Sequence, residues 1–203
     1  MFAESEEVAL ARRLLSGDRT AFDRFVELFQ RKLFHYVYMM CGHREDAEEV
    51  AQETLLKMFE HFDQLREPER VKPWAFTIAR NVCHMKRRKS IFAPEEEISL
   101  DDLMPQFRES GDRRKLEIAD WSRLPDDEAI RREVRVTLEQ VIRELPDIYK
   151  SVLLLRDVEE LTTEETAEVL GVSADVVKTR LHRARLLVRN KIDKHLLHSV
   201  GAR

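Results

Sequence analysis

Apolar residues recur every three or four positions along most of this chain, which is the spacing of helices that bury one face. The five glycines and six prolines are too few for a sandwich or barrel with many tight turns. The predicted fold class is therefore all-α, with two small helical domains. The predicted helices cover approximately 5–16, 21–41, 44–62, 73–89, 129–144, 146–155, 162–170 and 173–196.

Local signals mark several helix ends. Gly42 and Gly171 follow the last periodic residues of two helices, as C-terminal glycines do. Thr162 and Glu165 have the spacing of a capping box, and Ser173 is placed to cap the helix that follows Gly171. The apolar stripes predict that Phe59 and Met85 lie on the buried faces of their helices.

Residues 91–127 lose the helical regularity, apart from one short helix predicted near 113–121. From position 93 to 128 the chain carries twelve acidic and five basic residues. A stretch this long without regular structure is typical of a domain boundary. The sequence therefore predicts a first domain over 1–92, an acidic flexible linker over 93–127 and a second domain over 128–203.

The charge of the chain is segregated, although its formal net value is only -4. Positions 178–194 hold seven Lys and Arg residues against one acid, and positions 86–89 are four consecutive bases. Such local basic stretches are typical of a chain that binds a polyanion with part of its surface. A solvated basic helix end is the alternative explanation.

The compartment is predicted from what the sequence lacks. The N-terminal stretch is charged and contains no secretory core, and no apolar run reaches the roughly 20 residues of a membrane span. We therefore expect a cytoplasmic protein without membrane insertion. Cys41 and Cys83 are then interpreted as reduced, small apolar residues, with a disulfide as the alternative.

The segment AEVLGVSADVVKTRLHRAR contains a short helix, a three-residue turn that begins with Gly171, and a longer basic helix. This is the helix-turn-helix arrangement, in which the first helix braces the second for entry into the DNA major groove. Lys178, His182, Arg185 and Arg189 form one stripe of the second helix, with Thr179 and Arg183 further round.

The segment LPDIYKSVLLLRDVEELTTEETAEVLGVSADVVKTRLHRARLLVRNKI resembles region 4 of the bacterial sigma-70 family, in its extracytoplasmic-function (ECF) branch. In the first half, REDAEEVAQETLLKMFEHFDQL resembles region 2.2, and VKPWAFTIARNVCHMKRRK resembles regions 2.3 and 2.4. The chain departs from the family pattern at Thr166 and at Val176. Thr166 stands where an aliphatic residue is usual, and we expect its methyl group to pack and its hydroxyl to bond back to the helix.

The resemblance implies that the second domain reads the −35 promoter element. It implies base-facing roles for Lys178, His182 and Arg183, and backbone or secondary contacts for Thr179, Arg180 and Arg185. Ser173 has two interpretations, a helix cap or a phosphate contact.

The resemblance also implies that the first domain recognises and melts the −10 element, through the loop over 63–72 and the helix that follows it. The residues implied in −10 binding are Asn81, Lys86, Arg87 and Arg88. Trp74 could stack on a base, but its place at the start of an apolar stripe favours the core.

Core RNA polymerase is the implied protein partner, through its β′ clamp and β flap. Region 2.2 docks on the β′ clamp helices in the family. The matching residues are Asp46, Glu49, Gln52 and Glu53, and a solvated acidic helix face is the alternative.

The implied function is that of an ECF sigma factor, which binds core polymerase and directs promoter recognition and transcription initiation, with an anti-sigma factor as a further partner. An ordinary transcription regulator is the first alternative, but it needs no helix like REDAEEVAQE in its first half. An enzyme is the second. The seven histidines are scattered without metal-site spacing, and no phosphate-binding glycine loop occurs. We therefore expect a protein that is not an enzyme and has no cofactor and no metal.

Overall fold

The structure is a computed structural model that describes residues 4–89 and 128–200, without the side chains of 87–89, 128–131, 133 and 193–200. All the regular secondary structure in these ranges is helical, which confirms the all-α fold class. The α-helices are α1 (Glu6–Leu15), α2 (Phe22–Cys41), α3 (Arg44–Glu60), α4 (Val71–Lys89), α5 (Glu128–Arg143), α6 (Asp147–Leu153), α7 (Thr163–Leu170) and α8 (Ala174–Val200).

Helices α1 to α4 form the first unit around the apolar face of α2, which packs against α1, α3 and α4. Phe29, Leu33 and Phe76 are fully buried, and the rings of Tyr36 and Phe76 meet edge to face with centroids 5.3 Å apart. Gly42 ends α2 in the left-handed conformation at φ +79°, which glycine adopts without strain. The packing of the buried apolar residues around α2 fixes the relative positions of α3 and α4.

Helices α5 to α8 form the second unit. The predicted capping box is present at the start of α7. The Glu165 N–H donates to Thr162 Oγ1 at 3.1 Å, and the Thr162 N–H donates to Glu165 Oε2 at 2.7 Å. Gly171 ends α7 at φ +66°, and Ser173 Oγ accepts from the Val176 N–H at 3.4 Å. The helix-turn-helix geometry is thus set by the local signals read from the sequence.

The two units are in contact through α4 and α7, and through α2 with α5 and α6. Arg70 and Glu168 form an exposed ion pair across this boundary. Lys72 Nζ donates to the backbone oxygen of Glu159 at 2.7 Å. The Arg143 guanidinium lies 4.2 Å from the centroid of the Tyr38 ring.

Several expectations about local structure were wrong. Phe59 and Met85 are 65% and 46% exposed, because each lies at the edge of the apolar stripe of its helix. The polar loop before α4 contains two 3₁₀ turns, Phe62–Gln64 and Pro68–Arg70, and α4 begins at Val71. Thr166 is fully buried as expected, but within the described residues its hydroxyl has no hydrogen-bond partner. The predicted linker and the short helix near 113–121 lie outside the described residues.

Candidate nucleic-acid and protein interfaces

One side of α8 is anchored in the second unit, and the other side is exposed. Val177 and Ala184 are fully buried and Leu181 is 8% exposed, where α8 packs on α6 and α7. The exposed side carries bases at positions that an α-helix places within about 60° of one another. We call this the α8 basic face, and it consists of Lys178, His182, Arg185 and Arg189, all of them exposed.

The bases of α8 differ in how firmly they are held. Lys178 Nζ lies 3.2 Å from Asp175 Oδ1, in a pair so exposed that it costs little to exchange for another anion. Arg185 instead donates twice to the Asp157 carboxylate, at 2.6 and 2.9 Å. These hydrogen bonds raise the pKa of Arg185 and tie α8 to the π-helical turn Leu154–Val158, which follows α6. Lys178 is therefore available to a ligand, whereas Arg185 also positions the helix.

The remaining predicted −35 residues lie further round α8. Thr179 is exposed, and its hydroxyl donates to the backbone oxygen of Asp175 at 2.9 Å, which leaves its oxygen able to accept. Arg183 and Arg180 are partly exposed. Every predicted −35 side chain is thus at least partly exposed, in an arc that is wider than the α8 basic face and that reaches the edge of the buried stripe at Arg180.

On α4, the predicted −10 residues have different surroundings. Asn81 is exposed. Lys86 Nζ lies 2.9 Å from Asp46 Oδ1 and 2.5 Å from Glu49 Oε2 on α3. Partial burial opposes the charged form of Lys86, but the hydrogen bonds to both carboxylates outweigh it and raise its pKa. The side chains of Arg87 and Arg88 lie outside the described residues.

The exposed side of α3 combines acids, an amide and two large apolar side chains. We call it the α3 face, and it consists of Glu49, Gln52, Glu53, Leu56 and Phe59. Leu56 and Phe59, which were not among the residues predicted to bind polymerase, are 57% and 65% exposed. Leu56 lies four residues after Gln52 and Phe59 lies seven residues after it, and this spacing is the signal that could have placed both on this face. Exposed apolar side chains grouped beside polar ones are typical of a protein-binding surface.

Two family models match the chain over these same elements. The model "Sigma-70 region 2" matches residues 25–90, and the model "Sigma-70, region 4" matches residues 135–188. Together they cover more than half of the chain, and the chain therefore belongs to the sigma-70 family of RNA polymerase sigma factors.

Curated relatives place the chain in the ECF branch of that family. It is 27% identical to the ECF RNA polymerase sigma factor SigW of Bacillus subtilis over 89% of this chain and 94% of that protein. It is 28% identical to the RNA polymerase sigma-H factor of Pseudomonas aeruginosa over 97% of this chain and 96% of that protein. As an ECF sigma factor, the protein binds core RNA polymerase and directs promoter recognition and transcription initiation.

Solved structures share the fold. CnrH, in complex with the cytosolic domain of CnrY, matches with a TM-score of 0.59 and 21% identity over 94% of this chain and 99% of that one. The sigma factor RpoE from Bartonella quintana, in complex with the anti-sigma factor NepR, matches with a TM-score of 0.59 and 19% identity over 85% and 96% of the two chains.

Over the described parts of the chain, no group of three or more potential metal ligands comes together. Among the helices described, none is both long and apolar enough to cross a membrane.

Proposed function

We propose that this sigma factor uses three separate surfaces, each of which binds a different partner. The α8 basic face, with Thr179, Arg180 and Arg183, binds the −35 element as duplex. The C-terminal half of α4 binds the −10 element, and the α3 face binds core polymerase. The observation that carries this proposal is that α8 exposes bases, whereas α3 exposes acids and apolar groups, on helices whose opposite sides are buried.

The −35 role of α8 rests on the fit between one helix and one groove. A major groove about 12 Å wide admits a single α-helix, and Arg and Lys at its exposed positions reach guanine edges or phosphates. Lys178, His182 and Arg183 are proposed to contact bases. Arg185 contacts the DNA backbone less readily, since it is engaged by Asp157.

The −10 role of α4 rests on exposed Asn81 and on the basic sequence at the end of the helix. Single-stranded DNA needs a basic track for its phosphates and pockets or planes for its bases. Trp74 is partly buried, with its ring centroid 6.1 Å from that of Phe62, which supports a core role over base stacking. Lys86 is proposed to orient α4 against α3 as well as to attract phosphates, because it bridges Asp46 and Glu49.

The polymerase-binding role of the α3 face rests on its mixture of charge and exposed apolar area. Glu49, Gln52 and Glu53 can pair with a basic partner helix such as those of the β′ clamp, and Leu56 and Phe59 can supply the apolar contacts that carry most binding energy. The β flap is the proposed partner of the second unit.

The protein is proposed to act by binding, without catalysis, in the cytoplasm. An anti-sigma factor is proposed as a further partner, because the solved structure of the sigma factor RpoE contains the anti-sigma factor NepR. Co-expression with the product of a neighbouring reading frame tests this partner. A stable complex that no longer supports transcription is the expected result, and unchanged transcription contradicts it.

Reconstitution with core polymerase tests whether core binding and −35 binding use separate surfaces. The Gln52→Lys/Glu53→Lys variant should lose core binding while its isolated affinity for duplex −35 DNA stays near that of the wild type. Asp23→Lys on α2, also an exposed acid, is the matched control and should bind core normally. The proposal fails if the double variant binds core as well as the control does.

A further inference from the structure

Two thiols meet where the end of α2 packs against α4. Cys41 is the last residue of α2 and is partly exposed, whereas Cys83 on α4 is 5% exposed. Their Sγ atoms lie 3.1 Å apart. We propose that Cys41 and Cys83 are a redox-active pair, which a peroxide converts into an intramolecular disulfide that joins α2 to α4.

The geometry of the pair favours this reaction. A disulfide has an S–S distance of about 2.05 Å, so the two sulfur atoms need to approach by only about 1 Å. Cys41 can supply that movement, because the next residue, Gly42, has already left the helix at φ +79°. Cys83 stays in place, since its neighbours Val82 and Ala79 are buried in the core of the first unit.

The difference in exposure sets the order of the chemical steps. The thiolate of Cys41 attacks one peroxide oxygen and the O–O bond breaks, which leaves a sulfenic acid on Cys41 and a hydroxide ion. This hydroxide takes up the proton that the Cys41 thiol released on ionising and forms the first water. The sulfur of Cys83 then attacks the Cys41 sulfur, and the S–O bond breaks. The departing hydroxide takes the proton of Cys83 to form the second water. Two thiols lose two electrons and two protons in total, and hydrogen peroxide accepts them.

The bond would be a reversible cross-link between α2 and α4 within the first unit. In a reducing cytosol, disulfides are typically transient and redox-sensing. The loop that this one closes contains all of α3 and the start of α4, so closure restricts the unfolded chain far more than it moves the folded one. We therefore expect the oxidised protein to keep its helical content and to unfold at a higher temperature. This goes beyond the sigma-factor role, which needs no thiol chemistry.

Peroxide treatment of the full-length reduced protein tests the inference without polymerase or DNA. After the reaction is quenched with an alkylating agent, mass spectrometry should show no alkylated cysteine, a loss of two hydrogens and a cross-linked peptide containing Cys41 and Cys83. Dithiothreitol should restore two alkylatable thiols. The oxidised wild type should remain monomeric and melt at a higher temperature than the reduced protein.

Two variants serve as controls. Cys41→Ser and Cys83→Ala each leave one thiol, so neither should form the intramolecular bond or gain thermal stability on oxidation. The inference is overturned if both wild-type thiols stay alkylatable after peroxide treatment. It is equally overturned if the products are sulfinic acids or intermolecular dimers, or if oxidation lowers the melting temperature. Because the wild type alone gives these readouts, a variant that fails to fold does not weaken the test.

Discussion

Phe59 offers a sharp test of the α3 face, because its side chain is 65% exposed. Burying a whole aromatic side chain removes roughly 150–250 Å² from water, so the exposed part of Phe59 offers roughly 100–150 Å² to a partner. At about 25 cal/mol per Å² that area is worth about 2.5–3.75 kcal/mol of binding free energy. The Phe59→Ala variant should therefore bind core polymerase about 70- to 600-fold more weakly than the wild type.

The same change should cost the fold little. The contact that Phe59 makes with Phe22 is an edge-to-face pair with centroids 5.7 Å apart, and such a pair is worth about 1 kcal/mol. For a chain of this size that lowers the melting temperature by about 2–4 °C. A fluorescence competition assay against labelled sigma factor measures the affinity for core polymerase, and circular dichroism measures the melting temperature.

Val136→Ala on α5 is the matched control, since Val136 is 57% exposed and lies away from the α3 face. It should leave core binding unchanged. If Phe59→Ala binds core polymerase as tightly as the wild type, the α3 face does not use this side chain and the reasoning is refuted. A loss of binding in Val136→Ala as well would show that the assay responds to general surface changes.

Three further predictions concern the helix-turn-helix and the boundary between the units. Lys178→Ala and Arg183→Ala, which remove proposed base contacts, should each cost about 1–3 kcal/mol of −35 binding free energy, whereas Lys191→Ala serves as control. Thr162→Ala removes the capping box and should destabilise the protein by about 1 kcal/mol in thermal unfolding, unlike Thr163→Ala. Burial raises the pKa of Glu159, although Lys32 and Lys72 lie nearby. Because the folded state disfavours the charged carboxylate, the protein loses stability as the pH rises from the usual pKa of a glutamate through the raised pKa of the folded state. Glu159→Gln should therefore melt above the wild type at neutral pH, with a difference that disappears towards pH 4; an equal or lower melting temperature at neutral pH contradicts this.

The helix boundaries were predictable because their signals are local. Gly42 and Gly171 end helices in the left-handed conformation, and Thr162 with Glu165 forms a reciprocal cap within one turn. These motifs act through neighbours at most four residues away, so the sequence alone contains the information.

The features of the candidate site that the sequence did not predict depend on contacts between residues that are far apart along the chain. Lys86 was expected to face phosphates, and nothing in its own segment indicates that Asp46 and Glu49 hold it. Phe59 follows buried Met58, and periodicity alone cannot decide which of two adjacent apolar residues faces the core. The ion pairs of Lys86 and the exposure of Phe59 both depend on how α3 packs against the rest of the first unit, and that packing exists only in the folded chain.

The packing of the two units against each other constrains how the proposed surfaces are used. The −10 and −35 elements are separated by roughly 25 base pairs, or roughly 85 Å of duplex at about 3.4 Å per base pair. Helices that pack directly, as α4 and α7 do here, have axes only about 8–10 Å apart. If α4 binds one element and α8 the other, we expect the packed arrangement to be too short to reach both, so that the two units separate on the promoter. The exposed pair of Arg70 and Glu168 contributes little to holding them together, because solvent screens it. The hydrogen bond from Lys72 to buried Glu159 is the contact whose loss costs more, and it places the resistance to opening at the junction of α4 with the turn after α6.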